Sequence, residues 1–208
     1  MGFDIENVLY SLPAVIIGLT VHEYSHALMA SKLGDSTAKD QGRITFNPLK
    51  HIDPLGMIFI IIAGFGWAKP VQFNRENLKN PRCDKALIAL AGPISNLVLG
   101  IIFLIIIKIF LIIKYLVAGN LYMILMKEFF YIAVINLGLF IFNILPLPPL
   151  DGSHVFLSGI NLTAETERKF MKFGSYALFA LLIIENRANI DIIPIGKFTN
   201  FVVGLFFK

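Results

Sequence analysis

From Ala86 to Tyr115 the chain reads ALIALAGPISNLVLGIIFLIIIKIFLIIKY, apolar almost without a break. A helix needs only about 20 such residues to cross the hydrocarbon core of a bilayer. The two lysines near the far end, Lys108 and Lys114, are long enough to reach an interface. A run of this kind directs the chain to a membrane-embedded architecture, and composition agrees. Of the 208 residues 56% are hydrophobic and 15% charged. A soluble domain has about 45–50% and about 25%, so in water this chain could not cover its surface with polar groups.

Four further stretches carry the same reading. Val8–Leu33 is apolar around Pro13, and Phe129–Leu145 is apolar up to the proline cluster PLPPLDG. Phe173–Ile184 and Ile190–Phe207 are apolar and divided by ENRAN, which leaves open one tilted helix plus an interfacial segment or two short spans. Leu55–Trp67 is too short to span, rich in β-branched residues and broken by Gly64 and Gly66, so it predicts a re-entrant β-hairpin near residues 55–72. The expectation is an all-α polytopic membrane protein with about 4–5 membrane segments plus that hairpin. It forms a single domain over 1–208, with a core at about 8–160 and C-terminal membrane segments at 173–207.

Lys and Arg gather in the two polar connections flanking Leu55–Trp67, both net positive, whereas the N-terminal flank carries Asp4 and Glu6. The positive-inside rule places both connections in the cytoplasm. No run of basic and aromatic residues forms a strand-binding stripe, so nucleic acid is not an expected partner. Cys83 is the sole cysteine, which excludes an intrachain disulfide and a cysteine zinc site. Asp4 and Glu6 stand where a cleavable signal would carry positive charge, so none is expected.

Inside Val8–Leu33 stands HEYSH, with three ionisable residues in five positions. Each costs at least about 2–3 kcal/mol near a bilayer centre unless compensated. In a helix, His22 and His26 are i and i+4 and share a face, so two ring nitrogens can take one ion. Glu23 lies beside that ion, placed to accept a proton from a water that the metal acidifies. The competing reading is a polar packing seam between helices.

A catalytic zinc takes three protein ligands and keeps one open position. Met29 and Lys32 stand where a longer histidine motif would place Gly and His. Asp151, the acid in the apolar NILPLPPLDG, is the best remaining third ligand, against the alternative of a turn aspartate before glycine. Pro146, Pro148 and Pro149 cannot continue a helix, and the backbone they free is tolerated at membrane depth only around protein or water. With the first and third spans running the same way, His26 and Asp151 can meet at one depth.

HEYSH in the first span, AGPISN at 91–96 and NILPLPPLDG at 143–152 resemble the site-2 protease family of intramembrane zinc metalloproteases. NPLKHIDPLG and GFGWAKPVQFN further resemble its short prokaryotic members, which lack inserted PDZ or CBS domains. The resemblance covers about residues 10–160. It implies one Zn2+ per chain held by His22, His26 and Asp151, with Glu23 as general base. The substrate implied is a transmembrane protein or peptide, cut within the bilayer of a prokaryotic cell membrane, with the active site towards the cytoplasm. Asn143 would position substrate or stabilise the oxyanion. Asn96 is either interhelical glue or a substrate contact, and His51 either lines the cytoplasmic mouth or is an ordinary loop histidine. Gly64 and Gly66 would shape a hairpin edge to which an unwound substrate adds as a strand. Two rivals remain: a metal-transport protein, which should show repeated halves or a second polar cluster, and an inactive scaffold, which should not require Glu23.

Overall fold

The computed structural model describes residues 5–63, 66–112, 119–160, 162–188 and 192–207. Helix α1, Ile5–Lys32, is the first apolar stretch. Its hydroxyls bond back to the helix, Thr20 Oγ1 to the Ile16 carbonyl at 2.6 Å and Ser25 Oγ to that of Val21 at 2.7 Å. That satisfies these polar groups within the helix itself. Gly34 ends the helix with φ +109°, while Gly34 N donates to Ser31 O and Asp35 N to Ala30 O. These are the two bonds of a Schellman cap, which needs a left-handed residue at that point.

After α2, Thr37–Asp40, and a 3-10 turn at Pro48–Lys50, helix α3 runs over Pro54–Ala63. This corrects the hairpin expectation. The isoleucine-rich run favours a strand by propensity, but it is preceded by a helix-start signal. Asp53 Oδ1 accepts from Leu55 N at 2.9 Å and Gly56 N at 3.0 Å, and Pro54 occupies the first helical position. The chain then returns in extended form, with a single antiparallel bridge between Ile52 and Ala68 and no strand among the described residues. Gly56 and Gly66 let the two arms touch: a Cβ on Gly66 would lie 2.1 Å from the Gly56 carbonyl oxygen. Gly64 lies outside the described residues.

Helix α4, Pro81–Ile112, and helix α5, Gly119–Asn143, are long and apolar enough to cross a membrane. They pack on each other through Leu104, Ile107, Ala133 and Leu137, and Gly100 lets Leu137 approach to 2.9 Å from where its Cβ would be. Ile94, Val98, Ile102, Ile105 and Ile109 of α4 are exposed, as a lipid-facing surface would be. Helix α5 starts well before Phe129, because Lys127 and Glu128 do not break it; Lys127 Nζ pairs with Glu6 of α1 at 2.6 Å. α1 packs against both α4 and α5, giving a three-helix centre.

The short helix α6, Asp151–Ser158, lies on α4. Helix α7, Ala164–Ala188, joins the charged connection and the apolar stretch after it into one element, and α8, Ile195–Phe206, covers the α4–α5 core with Phe198 and Phe206. At the polar start of α7, Glu167 Oε1 accepts from Lys85 Nζ at 2.6 Å and Arg75 Nη2 at 2.9 Å. These two cations hold its carboxyl down at about 2.

Candidate metal centre

In α1 the two histidines of HEYSH lie on the face that points at α4. His22 Nε2 and His26 Nε2 lie 3.0 Å apart, and Asp151 Oδ2 lies 3.0 Å from the first and 3.4 Å from the second. Both rings and Glu23 are buried. Asp151 gets there because the chain doubles back after α5. Ile144 N still bonds Phe140 O, and α6 then begins against that same turn. A Cβ on Gly152 would sit 2.1 Å from the Ile144 carbonyl oxygen, so the residue after Asp151 has room for glycine only.

Hydrogen bonds fix the tautomer of each ring. His26 Nδ1 lies 2.7 Å from the Ile88 carbonyl, which only accepts, so Nδ1 carries a hydrogen and the neutral ring presents Nε2 as a lone pair. His22 Nδ1 lies 2.6 Å from Asn96 Oδ1. Asn96 Nδ2 is spent as donor to the Gly18 carbonyl at 3.0 Å and to Asn136 Oδ1 at 2.8 Å, and Asn136 Nδ2 donates to the Ile132 carbonyl. That amide chain leaves Asn96 Oδ1 as acceptor, so the neutral His22 ring presents Nε2 in the same way. With neutral rings, two lone pairs and a carboxylate oxygen thus converge on one buried point, an arrangement that needs a cation or a shared proton to offset its repulsion.

The donor set fits zinc. Ligand bonds of about 2.0–2.2 Å in a tetrahedron put ligand atoms about 3.3–3.6 Å apart, close to the observed 3.0–3.4 Å. Two imidazoles and one carboxylate leave the fourth position open, and each ring carries the outer hydrogen bond that metal-ligating histidines use. His22, His26 and Asp151 are the group of His, Cys, Asp or Glu side chains among the described residues that converges in this way.

Several residues that shape the site were not singled out in the sequence. A Cβ on Gly92 would lie 2.4 Å from His26 Nε2 and 2.7 Å from His22 Cε1, so the rings occupy the space of its missing side chain. A glycine inside an apolar helix signals such a close approach, and AGPISN contains it. Arg43 Nη2 lies 3.8 Å from Glu23 Oε2, and Val71 N donates to the same oxygen at 3.0 Å. Neither had a local signature. Asn136 continues the amide chain from Asn96.

The other predicted positions fall as follows. Asn96 orients His22 and ties α1 to α4 and α5. His51 is fully buried, and its Nε2 donates to the Thr45 carbonyl at 2.8 Å. Asn143, in the last turn of α5, donates through Nδ2 to the Leu139 carbonyl at 3.0 Å. Gly66 packs on Gly56.

Residues 10–185 match peptidase family M50. Over 149 residues the chain is 46% identical to "Putative zinc metalloprotease YwhC" of Bacillus subtilis, a match covering 70% of this chain and 67% of that protein. Two more proteins carry the same designation. MJ0611 of Methanocaldococcus jannaschii is 34% identical over 160 residues, 74% of this chain and 72% of its own. Rip2 of Mycobacterium tuberculosis is 27% identical over 175 residues, 81% and 63%. The chain spans about two thirds of the length of the relatives it matches. No solved structure matches it.

Proposed function

This chain belongs to peptidase family M50, and on that premise we propose that it is an intramembrane zinc metalloprotease that hydrolyses peptide bonds within transmembrane segments of other proteins. The observation that carries the reading is the convergence of His22 Nε2, His26 Nε2 and Asp151 Oδ2 within 3.0–3.4 Å of one another, one residue from a buried glutamate. In this reading those three atoms hold one Zn2+. The ion, when bound, polarises the scissile carbonyl and makes a water acidic enough to attack near neutral pH.

The chain's own groups do the rest. Asn96 and the Ile88 carbonyl keep both imidazoles with Nε2 turned inward. Glu23 accepts the proton released by the attacking water and delivers it to the leaving amine nitrogen. Asn143, one turn before the chain doubles back to Asp151, is the candidate for contacting substrate. The extended segment returning from α3 is the candidate for holding the unwound substrate by strand addition. His51 supports that segment through its carbonyl, which accepts from Lys69 N at 2.8 Å.

The proposed setting is a single membrane-embedded unit. α1, α4 and α5 cross the bilayer, and α7 and α8 supply one or two further segments. The site opens towards the cytoplasm, where the basic connections lie.

The test is elemental analysis of detergent-purified protein beside cleavage of a membrane-embedded reporter. About one zinc per chain is expected in wild type and in Glu23→Gln, cleavage only in wild type, and neither in Asp151→Ala. A correctly folded wild type without metal overturns the proposal.

A further inference from the structure

The two polar connections that flank α3 meet over Glu23, and Arg43 is among the residues that fasten them there. Gly42, with φ +65°, reverses the chain after α2, and Arg43 N closes the turn on the Ala38 carbonyl at 2.9 Å. The reversal sends the Arg43 side chain inward, where it is 6% exposed. Its Nη2 donates to the Lys69 carbonyl and lies 3.8 Å from Glu23 Oε2. Lys69 N donates to the His51 carbonyl, so the backbone of Lys69 is gripped on both sides.

Two residues on, Val71 N meets Glu23 Oε2 at 3.0 Å. At the far end Asn74 N donates to Asp35 Oδ2 at 2.9 Å, while Asp35 Oδ1 accepts from Thr37 and from Asn77 Nδ2. Lys69–Asn74 is therefore a strap, pinned at one end by Arg43 and at the other by Asp35, with its middle on the glutamate.

We propose that Arg43 is a positioning residue for Glu23. By holding the Lys69 carbonyl it sets the strap so that the Val71 amide anchors Oε2, with the guanidinium charge 3.8 Å away, and leaves Oε1 as the oxygen that moves the proton. The inference rests on Glu23 being the base. A purely structural arginine this deeply buried would be expected to make a close fork on a carboxylate and to satisfy its donors. Arg43 does neither: its carboxylate partner stands at 3.8 Å and its Nε has no hydrogen-bond partner. Its one hydrogen bond to the strap runs to the Lys69 carbonyl. A lysine would keep the charge but could not span that carbonyl and the glutamate with a planar group.

The experiment compares wild type, Arg43→Gln, Arg43→Lys, Glu23→Asp and the Arg43→Gln/Glu23→Asp double variant, with zinc content, kcat and KM on one membrane-embedded reporter. Misplacing a catalytic group by about 1 Å costs on the order of 100-fold. The expectation is zinc retained in all five, kcat down about 10- to 100-fold in Arg43→Gln with KM within about 2-fold, and partial recovery in Arg43→Lys. The shorter Glu23→Asp side chain no longer reaches the anchor, so Arg43→Gln should add little further loss in that background.

Loss of zinc, a KM effect as large as the kcat effect, or full additivity in the double variant overturns the proposal. If Arg43→Gln does not fold, Arg43→Lys carries the same test, and wild-type kcat in it is overturning. Full activity in Glu23→Asp and Glu23→Gln would instead defeat the reading of Glu23 as base.

Discussion

A β-carbon on Gly92 would stand 2.4 Å from His26 Nε2. No side chain fits there while both imidazoles keep their positions, so a helix residue with no chemistry of its own sets the depth of the metal centre. Gly92→Ala should favour α4 itself by up to about 1 kcal/mol yet push the rings apart. Zinc per chain should fall well below one equivalent in protein that still gives a cooperative melt. Full zinc retention would mean the rings shift without losing their convergence.

Asn96 is expected to govern zinc affinity through His22. Losing a partner of this kind costs about 10- to 100-fold in metal affinity. Asn96→Ala should release zinc to a competing chelator at correspondingly lower concentration. Asn96→Asp keeps the acceptor facing His22 Nδ1 and should hold zinc more tightly than Asn96→Ala, although it loses the donors to Gly18 and Asn136.

Chelation should destabilise the protein as well as stop cleavage. Two ring nitrogens and a carboxylate oxygen face one another in a buried place. A ligand at 100 times its Kd adds about 2.7 kcal/mol to folding. Thermal melts with and without a strong chelator should differ by several degrees and coincide again when Zn2+ is restored. Identical melts would show that the three groups accommodate one another without an ion.

Acid stability should carry a contribution from Glu167. Lys85 and Arg75 lower its pKa to about 2 in the folded chain, from an ordinary 4.5. A depressed carboxylate stabilises the fold above its unfolded pKa, and that contribution fades as pH falls from about 4.5 towards 2. Glu167→Gln should therefore lower Tm near neutral pH and converge on wild type in that acid window. Parallel Tm curves across it would assign the ion pairs no role in stability.

The candidate ligands were legible because their signal is local. An i, i+4 pair of histidines in an apolar stretch needs only helical geometry to face one ion, and Asp151 was the acid left in an apolar, proline-broken segment. The hairpin was misread because the β-branched residues and the breaks at Gly64 and Gly66 outweighed a quieter signal just upstream, where Asp53 and Pro54 begin a helix. The apolar stretch read from Phe129 begins later than α5 does, because two charged residues precede it inside the helix and Lys127 reaches across to Glu6. Gly92, Arg43 and Val71 belong to a different category. What each does depends on atoms brought near by the tertiary fold, and no spacing along the chain encodes it.

The strap over Glu23 also divides the site along the chain. Its fastenings, at Asp35, Arg43, His51, Lys69 and Asn74, come from the stretch of chain that ends before α4. The rings are oriented by Ile88 and Asn96 on α4, and Asp151 follows only after α5. Along the chain the groups that hold Glu23 are thus complete before α4, the partners of the two rings lie on α4, and Asp151 stands a whole helix further on. A chain cut before α6 would keep every fastening of the strap and lose the third member of the His22, His26 and Asp151 cluster.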